Sequence, residues 1–303
     1  MNETSRGTEA EALPARKPEW LRKAIIHGDS VVRQTVRQFR LNTVCEEARC
    51  PNRHECWGAH RTATFLLLGP QCTRNCRFCS VPTGRPRPPD PTEPERVAGA
   101  VAALGMSFVV ITMSARDDLP DGGAAHMAET VRAIRRRAPG CRVEVLPSDF
   151  RGVESAIRTL VDAAPEVYGH NIETVRRLTP QVRSVARYER SLAVLRTVRA
   201  FAPGMAVKSA LMVGLGETWD ELLDTLDDLR AAGVDLLAIG QYLQPTRQHL
   251  PVVRYWRPEE FAMLRDAALE RGFVACEAGP WVRSSYRADL MYEAWRRTRP
   301  LEG

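Results

Sequence analysis

Cys72-Thr73-Arg74-Asn75-Cys76-Arg77-Phe78-Cys79 follows directly on the apolar run Ala63-Thr64-Phe65-Leu66-Leu67-Leu68-Gly69. A run of strand length that empties three thiols into one short loop marks a buried strand ending at a metal or disulfide site. A disulfide pairs two sulfurs and leaves the third unmatched. Structural zinc wants four closed ligands, usually from two pairs, and no second pair follows at finger-like spacing. Iron–sulfur clusters are held by thiolates at spacings like these. Three thiolates on a four-iron cluster leave one iron open to a small molecule, and zinc or plain redox chemistry is the competing reading.

A second triplet lies just upstream. Cys45, Cys50 and Cys56 are separated by four and five residues, a spacing unlike that of the first. Six of the eight cysteines thus fall between Cys45 and Cys79, and two triplets so close together point to two clusters. His54, inside the second triplet, reads as a solvated histidine rather than a ligand. Cys141 and Cys276 have no partner at ligand spacing and sit in apolar text, where buried thiols are ordinary.

The chain begins Met1-Asn2-Glu3-Thr4 with no apolar signal core, and no uncharged run approaches the ~20 residues that span a bilayer. The expectation is a reducing, cytoplasmic compartment, with no membrane association. A net charge of +6, from 43 basic and 37 acidic residues, is an ordinary mixed surface that suits an acidic partner. Arg135-Arg136-Arg137 reads as a solvated helix end, where bases complement the helix dipole, and not as a nucleic-acid contact.

Downstream of a linker holding six prolines between residues 81 and 94, the text becomes regular. Helical patterns at 94–104, 125–138, 153–163, 188–201, 219–232 and 258–271 alternate with apolar strands at 65–69, 108–113, 142–146, 166–172, 206–213, 236–242 and 273–276. Such alternation means βα units around a parallel sheet. Six full units are fewer than the eight of a closed barrel. The conspicuous polar residues all follow strand C-termini, where barrel active sites are built, so an α/β fold with a partial (β/α)6 TIM-type barrel is expected over an open doubly wound sheet. The expected divisions are a disordered tail (1–18), an N-terminal extension with the auxiliary thiols (19–61), the barrel (62–276) and a C-terminal extension (277–303).

The Cys-x3-Cys-x2-Cys loop after the first barrel strand resembles the radical S-adenosylmethionine superfamily. Within it, the N-terminal triplet, His170-Asn171-Ile172-Glu173-Thr174, the run from Leu211 to Thr218, Gly240-Gln241-Tyr242-Leu243-Gln244-Pro245 and Val282-Arg283-Ser284-Ser285-Tyr286 are similar to the lipoyl synthase family, over about residues 45–289. Two departures are Ser80 in place of a usual Asp and Ala210 in place of a common Gly.

The resemblance implies a 4Fe–4S cluster on Cys72, Cys76 and Cys79 whose open iron chelates S-adenosylmethionine, cleaved by one electron to a deoxyadenosyl radical. It implies a second cluster on Cys45, Cys50 and Cys56, closed by Ser285 in preference to Ser284 and spent as the sulfur donor. Asn171 and Glu173 are implied to hold the cofactor's ribose or amino acid part. Gly214, Gly216 and Glu217 are implied beside its adenine, although Gly-x-Gly after a strand is also a plain turn. Asp117 and Asp118 read as one more strand-end contact or the start of a turn, and Lys208 as site-facing or snorkelling. The implied reaction is insertion of two sulfurs into a protein-bound octanoyl chain. The implied partners are octanoylated carriers (E2 lipoyl domains of 2-oxoacid dehydrogenases and the glycine cleavage H protein), a ferredoxin- or flavodoxin-type reductant and an iron–sulfur carrier that rebuilds the spent cluster.

Overall fold

A computed structural model of the chain describes residues 17–22, 31–58, 60 and 62–299. Most of the expected tail, residues 1–16, lies outside the described residues, as do residues 23–30 of the arm. Eight strands form one sheet in chain order: β1 (Asn42–Thr43), β2 (Thr64–Leu67), β3 (Phe108–Met113), β4 (Arg142–Leu146), β5 (Val167–Gly169), β6 (Ala206–Val213), β7 (Leu236–Gln241) and β8 (Ala275–Gly279). β1 is antiparallel to β2, and every later pair is parallel. β1 and β8 are the two edges, so the barrel is open between them.

Three helices precede the first parallel strand: α1 (Val31–Gln38), α2 (Val44–Glu47) and α3 (Arg53–Gly58). The crossovers then carry α4 (Glu93–Leu104), α5 (Ala124–Arg137), α6 (Glu154–Val161), the short α7 (Thr179–Val182) with α8 (Tyr188–Phe201), α9 (Trp219–Ala231) and α10 (Pro258–Glu270). Six crossovers link seven parallel strands, as the alternating text requires. β3 and β7 are buried along their whole length because helices cover one face and the lumen the other. Local chemistry starts the helices; at α9 the Thr218 hydroxyl accepts from the Glu221 N–H while the Glu221 carboxylate accepts from the Thr218 N–H.

Two strands differ from expectation. β5 ends at Gly169; beyond it the His170 N–H still donates to Lys208 O (2.9 Å), the Ile172 N–H turns to the Ser209 hydroxyl (3.1 Å), and Glu173, with a left-handed backbone (φ 70°), forms an isolated bridge to Leu211. β8 starts at Ala275 and runs through Glu277 to Gly279, residues poor in intrinsic strand preference, because Leu236–Gly240 of β7 supplies their ladder partners.

The lumen is layered. At the bottom, strand starts Phe108, Val167, Ala206 and Leu236 pack against Ala288, Met291, Tyr292 and Trp295 of a C-terminal helix, α11 (Ala288–Arg297), which closes that end. Burying side chains of this size stabilises by ~1.5–3 kcal/mol each. In the middle, Lys208 Nζ donates to both carboxylate oxygens of Glu144 at 2.9 Å, and Lys208 is 1% exposed. Lys208 therefore faces the lumen and does not snorkel. At the top, Ala210 and Ala238 carry Val282, with Tyr286 packed alongside. Among the described residues no helix is long and apolar enough to cross a membrane.

Candidate functional site

The loop after β2 is held from every side. The Cys72 N–H donates to Pro82 O (2.8 Å), the Thr73 N–H to Ala115 O (3.1 Å) and the Arg77 N–H to Val182 O (3.0 Å). The Cys79 carbonyl meets His249 Nε2 at 2.9 Å. Its central clamp is buried Arg74, whose guanidinium donates to both oxygens of Asp117 at 2.7 Å and to Asp149 at 2.5 Å. Burial alone would raise the Asp149 carboxyl, but the hydrogen bond and charge of Arg74 outweigh it and hold the group well below the usual carboxylate range. Asp118 is occupied separately, gripping Arg116 with two bonds of 2.8 Å. This ion-paired anchor, 43 and 75 residues across the chain, was missed from sequence. The signal was an arginine inside the cysteine loop facing acids at the next two strand ends.

Cys72 and Cys79 are shifted in the same direction. Burial pushes Cys79 up to about 12, helped by the neighbouring Cys76, Cys72 and Glu173. Burial also raises Cys72, moderated by the Arg74 backbone N–H, which donates to its Sγ at 3.4 Å. Thiols that resist ionisation alone, yet receive backbone N–H groups, fit a bound metal cluster that supplies the missing positive charge. Among the described residues no three such side chains converge as a single metal ion demands.

Asn171 and Glu173 are brought together beyond the end of β5, where the Asn171 amide donates to Glu173 Oε1 at 3.1 Å. Burial raises the Glu173 carboxyl, against the pull of Arg183. Arg183 itself donates to Asn171 O (3.3 Å) and to Ser191 Oγ (2.8 Å). His170 is a core residue: its Nε2 meets Ser191 Oγ at 3.0 Å, and burial lowers its pKa to about 4.

Gly214 and Glu217 are engaged with the protein itself. A Cβ at Gly214 (φ 102°) would overlap the Gln241 amide and the Arg254 carbonyl. The Glu217 carboxylate accepts from the Gly214 and Leu215 N–H groups at 2.6 and 2.9 Å, and burial raises its pKa. The Gly216 carbonyl accepts from Arg177 at 2.9 Å. These three residues form a turn held by the protein's own hydrogen bonds.

The second triplet sits on the arm at the open side of the barrel. Cys45 lies on α2, Cys50 follows it and Cys56 lies on α3. Burial raises the Cys45 thiol, with Cys50 adding to the effect. The segment after β8 runs alongside: the Asn52 amide donates to Trp281 O (2.6 Å), and the Tyr286 hydroxyl to Glu55 (3.3 Å). Half-buried Arg283 neighbours Cys50, and desolvation lowers its pKa. The segment approaches β7 so closely that a Cβ at Gly240 would overlap the Val282 carbonyl oxygen. Ser284 and Ser285 occupy the turn closed by the Tyr286 N–H on Arg283 O (2.9 Å). Cys141 and Cys276 are buried apart from both groups, each pushed up to about 12 by burial.

The radical SAM superfamily matches residues 66–229 of the chain. A lipoyl synthase of Shouchella clausii is 58% identical over 276 residues, covering 90% of this chain and 89% of that protein. Those of Oceanobacillus iheyensis and Geobacillus sp. strain WCH70 are each 55% identical, covering 95% of this chain and 93% and 97% of theirs. Among solved structures, methylornithine synthase (PylB) aligns at TM-score 0.52 and 13% identity over 80% of this chain and 75% of its own. SuiB of Streptococcus suis, bound to S-adenosylmethionine, aligns at TM-score 0.52 and 12% identity over 70% of this chain and 49% of its own. At such identities these structures speak for the fold, a radical SAM barrel.

Proposed function

Since the chain belongs to the lipoyl synthase family within the radical S-adenosylmethionine superfamily, we propose that it inserts two sulfur atoms, at the sixth and eighth carbons, into an octanoyl chain carried on a protein lysine. The single observation that carries this reading to the site is the pairing of the thiol segment 45–56 with residues 281–286, far apart in the chain, on the barrel whose first strand leads into the other three thiols. The enzyme works with S-adenosylmethionine and two 4Fe–4S clusters. When bound, the cluster on Cys72, Cys76 and Cys79 supplies the electron that splits the cofactor, and that on Cys45, Cys50 and Cys56 supplies sulfur.

The chain's own residues orient and enclose. Arg74, tied to Asp117 and Asp149, fixes the loop bearing the first three thiols. Asn171 and Glu173, joined to each other, form a polar wall beside Cys79 suited to the ribose or amino acid part of the cofactor. The turn stiffened by Glu217, with Gly214 and Gly216, would line its adenine side. Ser285 is the oxygen we assign to the second cluster; an oxygen is a harder ligand than thiolate, so an iron held by it is more readily released. Residues 19–61 and 277–303 then act as one auxiliary unit built on the barrel of 62–276.

Octanoylated lipoyl-carrier proteins are the substrates this function requires, E2 lipoyl domains and the glycine cleavage H protein among them. A ferredoxin- or flavodoxin-type donor supplies electrons, and an iron–sulfur carrier restores the spent cluster. A reducing cytoplasm suits eight free cysteines. The test is mass spectrometry of an octanoyl-lysine carrier peptide after anaerobic incubation of the cluster-loaded protein with S-adenosylmethionine and dithionite. A dithiolated product at about one equivalent per chain is expected, since one donor cluster is consumed. Deoxyadenosine without sulfur on the peptide would demand another substrate, and no deoxyadenosine at all would end the radical-enzyme reading.

A further inference from the structure

Beside the first cysteine loop lies an open cleft of about 740 Å³ whose lining includes Arg151, Arg176, Arg183, Arg187 and Arg190 and no acidic residue. Some of this charge is answered nearby. Arg176 pairs with Glu189 and Asp228, Arg190 reaches Asp149 at 3.2 Å, and Arg151 lies 3.6 Å from Asp117. Asp149 and Asp117 are already claimed by Arg74, however. Arg183 is buried and turned inward to Asn171 O and Ser191 Oγ, whereas Arg187 is exposed and, among the described residues, forms no salt bridge.

The cleft touches the reaction centre at one point. Ser184, on its wall, accepts from the Asn75 N–H at 3.1 Å and stands 3.9 Å from Cys76 Sγ. Asn75 and Arg77 of the same loop are exposed beside it, so the thiol loop meets solvent here. At the centre of the wall Val185 is 39% exposed. A small apolar spot ringed by cations, next to a redox centre, has the make-up of a transient electron-transfer surface; such interfaces are small and steered by charge.

We infer that this cleft docks the electron donor, an acidic one-electron carrier protein. The inference rests on the functional reading above, which requires one electron per S-adenosylmethionine cleaved. The donor is oxidised by that electron and the cluster ligated by Cys76 is reduced by it; no atom crosses the interface. The octanoylated carrier, by contrast, has to reach the mouth between the two thiol groups.

The test compares the full-length, cluster-loaded protein with Arg187→Glu and, separately, Val185→Asp, neither of which contacts the cysteines. Titration calorimetry with an acidic flavodoxin should show the Kd weakened by at least ~10-fold in each variant, and wild-type binding weakened by added salt. Deoxyadenosine formation driven by dithionite should stay at the wild-type rate, whereas formation driven by the flavodoxin should fall with its binding. An unchanged Kd would overturn the proposal. A parallel fall with dithionite would also overturn it, since the residues would then serve the cofactor site. Weakened binding of an octanoylated carrier in place of the flavodoxin would assign the cleft to the carrier instead. If the wild type binds flavodoxin through these residues but makes no deoxyadenosine with dithionite, the functional reading fails and the docking surface stands.

Discussion

The two cysteine triplets are held in opposite ways. The loop 72–79 is clamped by the barrel itself: a buried arginine between two carboxylates, and backbone bonds to residues that follow β2, β3 and β5. The triplet of residues 45–56 rests on two short helices and on a distant segment of the chain, with hydrogen bonds that include Asn52 to Trp281 O and Tyr286 to Glu55. Under the assignment proposed above, the centre that must survive every turnover is built on the barrel scaffold, and the one that gives up its sulfur is built where two distant chain segments meet.

Removing a ligand from each side separates them most sharply. Cys76→Ala should abolish deoxyadenosine formation, whereas Cys50→Ala should leave it measurable and stop sulfur transfer to the peptide. Equal loss of cleavage in both, with folding intact by circular dichroism, would break the division. Next in size is Arg74→Met, which leaves buried Asp149 without its main cation and should cost ~3–5 kcal/mol in denaturant unfolding. It should empty the first cluster, read as loss of the iron that remains in a Cys50→Ala background.

Acid should act through His170, behind the first site. Its pKa is about 4 in the fold against an ordinary 6.5, so the unfolded chain takes up a proton that the folded one refuses. That contribution is present above pH 6.5 and fades as pH drops toward 4. The stability gap between wild type and His170→Gln should therefore shrink across that window by ~3 kcal/mol; a constant gap would contradict the buried neutral imidazole. The smallest effect belongs to the loose side. Tyr286→Phe removes one hydrogen bond to Glu55, worth ~1 kcal/mol, and should speed loss of auxiliary iron to a chelator while the first cluster stays.

Much of the barrel was legible because its signal is local and repeated. β3, β4 and β6 have the bounds their apolar runs suggest. β8 was misplaced because Glu277, Ala278 and Gly279 are strand residues only by virtue of β7 beside them. Helix α11 was not expected, although Ala288, Met291, Tyr292 and Trp295 recur at helical spacing, because the segment had been read for its serines alone. The cysteines announced themselves by spacing. Arg74 did not, since the partners of an ion pair 75 residues apart leave no pattern in a window of sequence.

The long reach of the auxiliary contacts has a consequence in time. Asn52 and Trp281 are 229 residues apart, whereas Arg74 has both its acids once Asp149 has been made. As the chain leaves the ribosome, the first loop gains its anchor once residue 149 has been made, while Cys45, Cys50 and Cys56 wait for residues 281–286. The site proposed for the auxiliary cluster is therefore completed well after the first loop, and its cysteines wait longer in a nascent chain for their long-range contacts than Cys72, Cys76 and Cys79 wait for the anchor of Arg74.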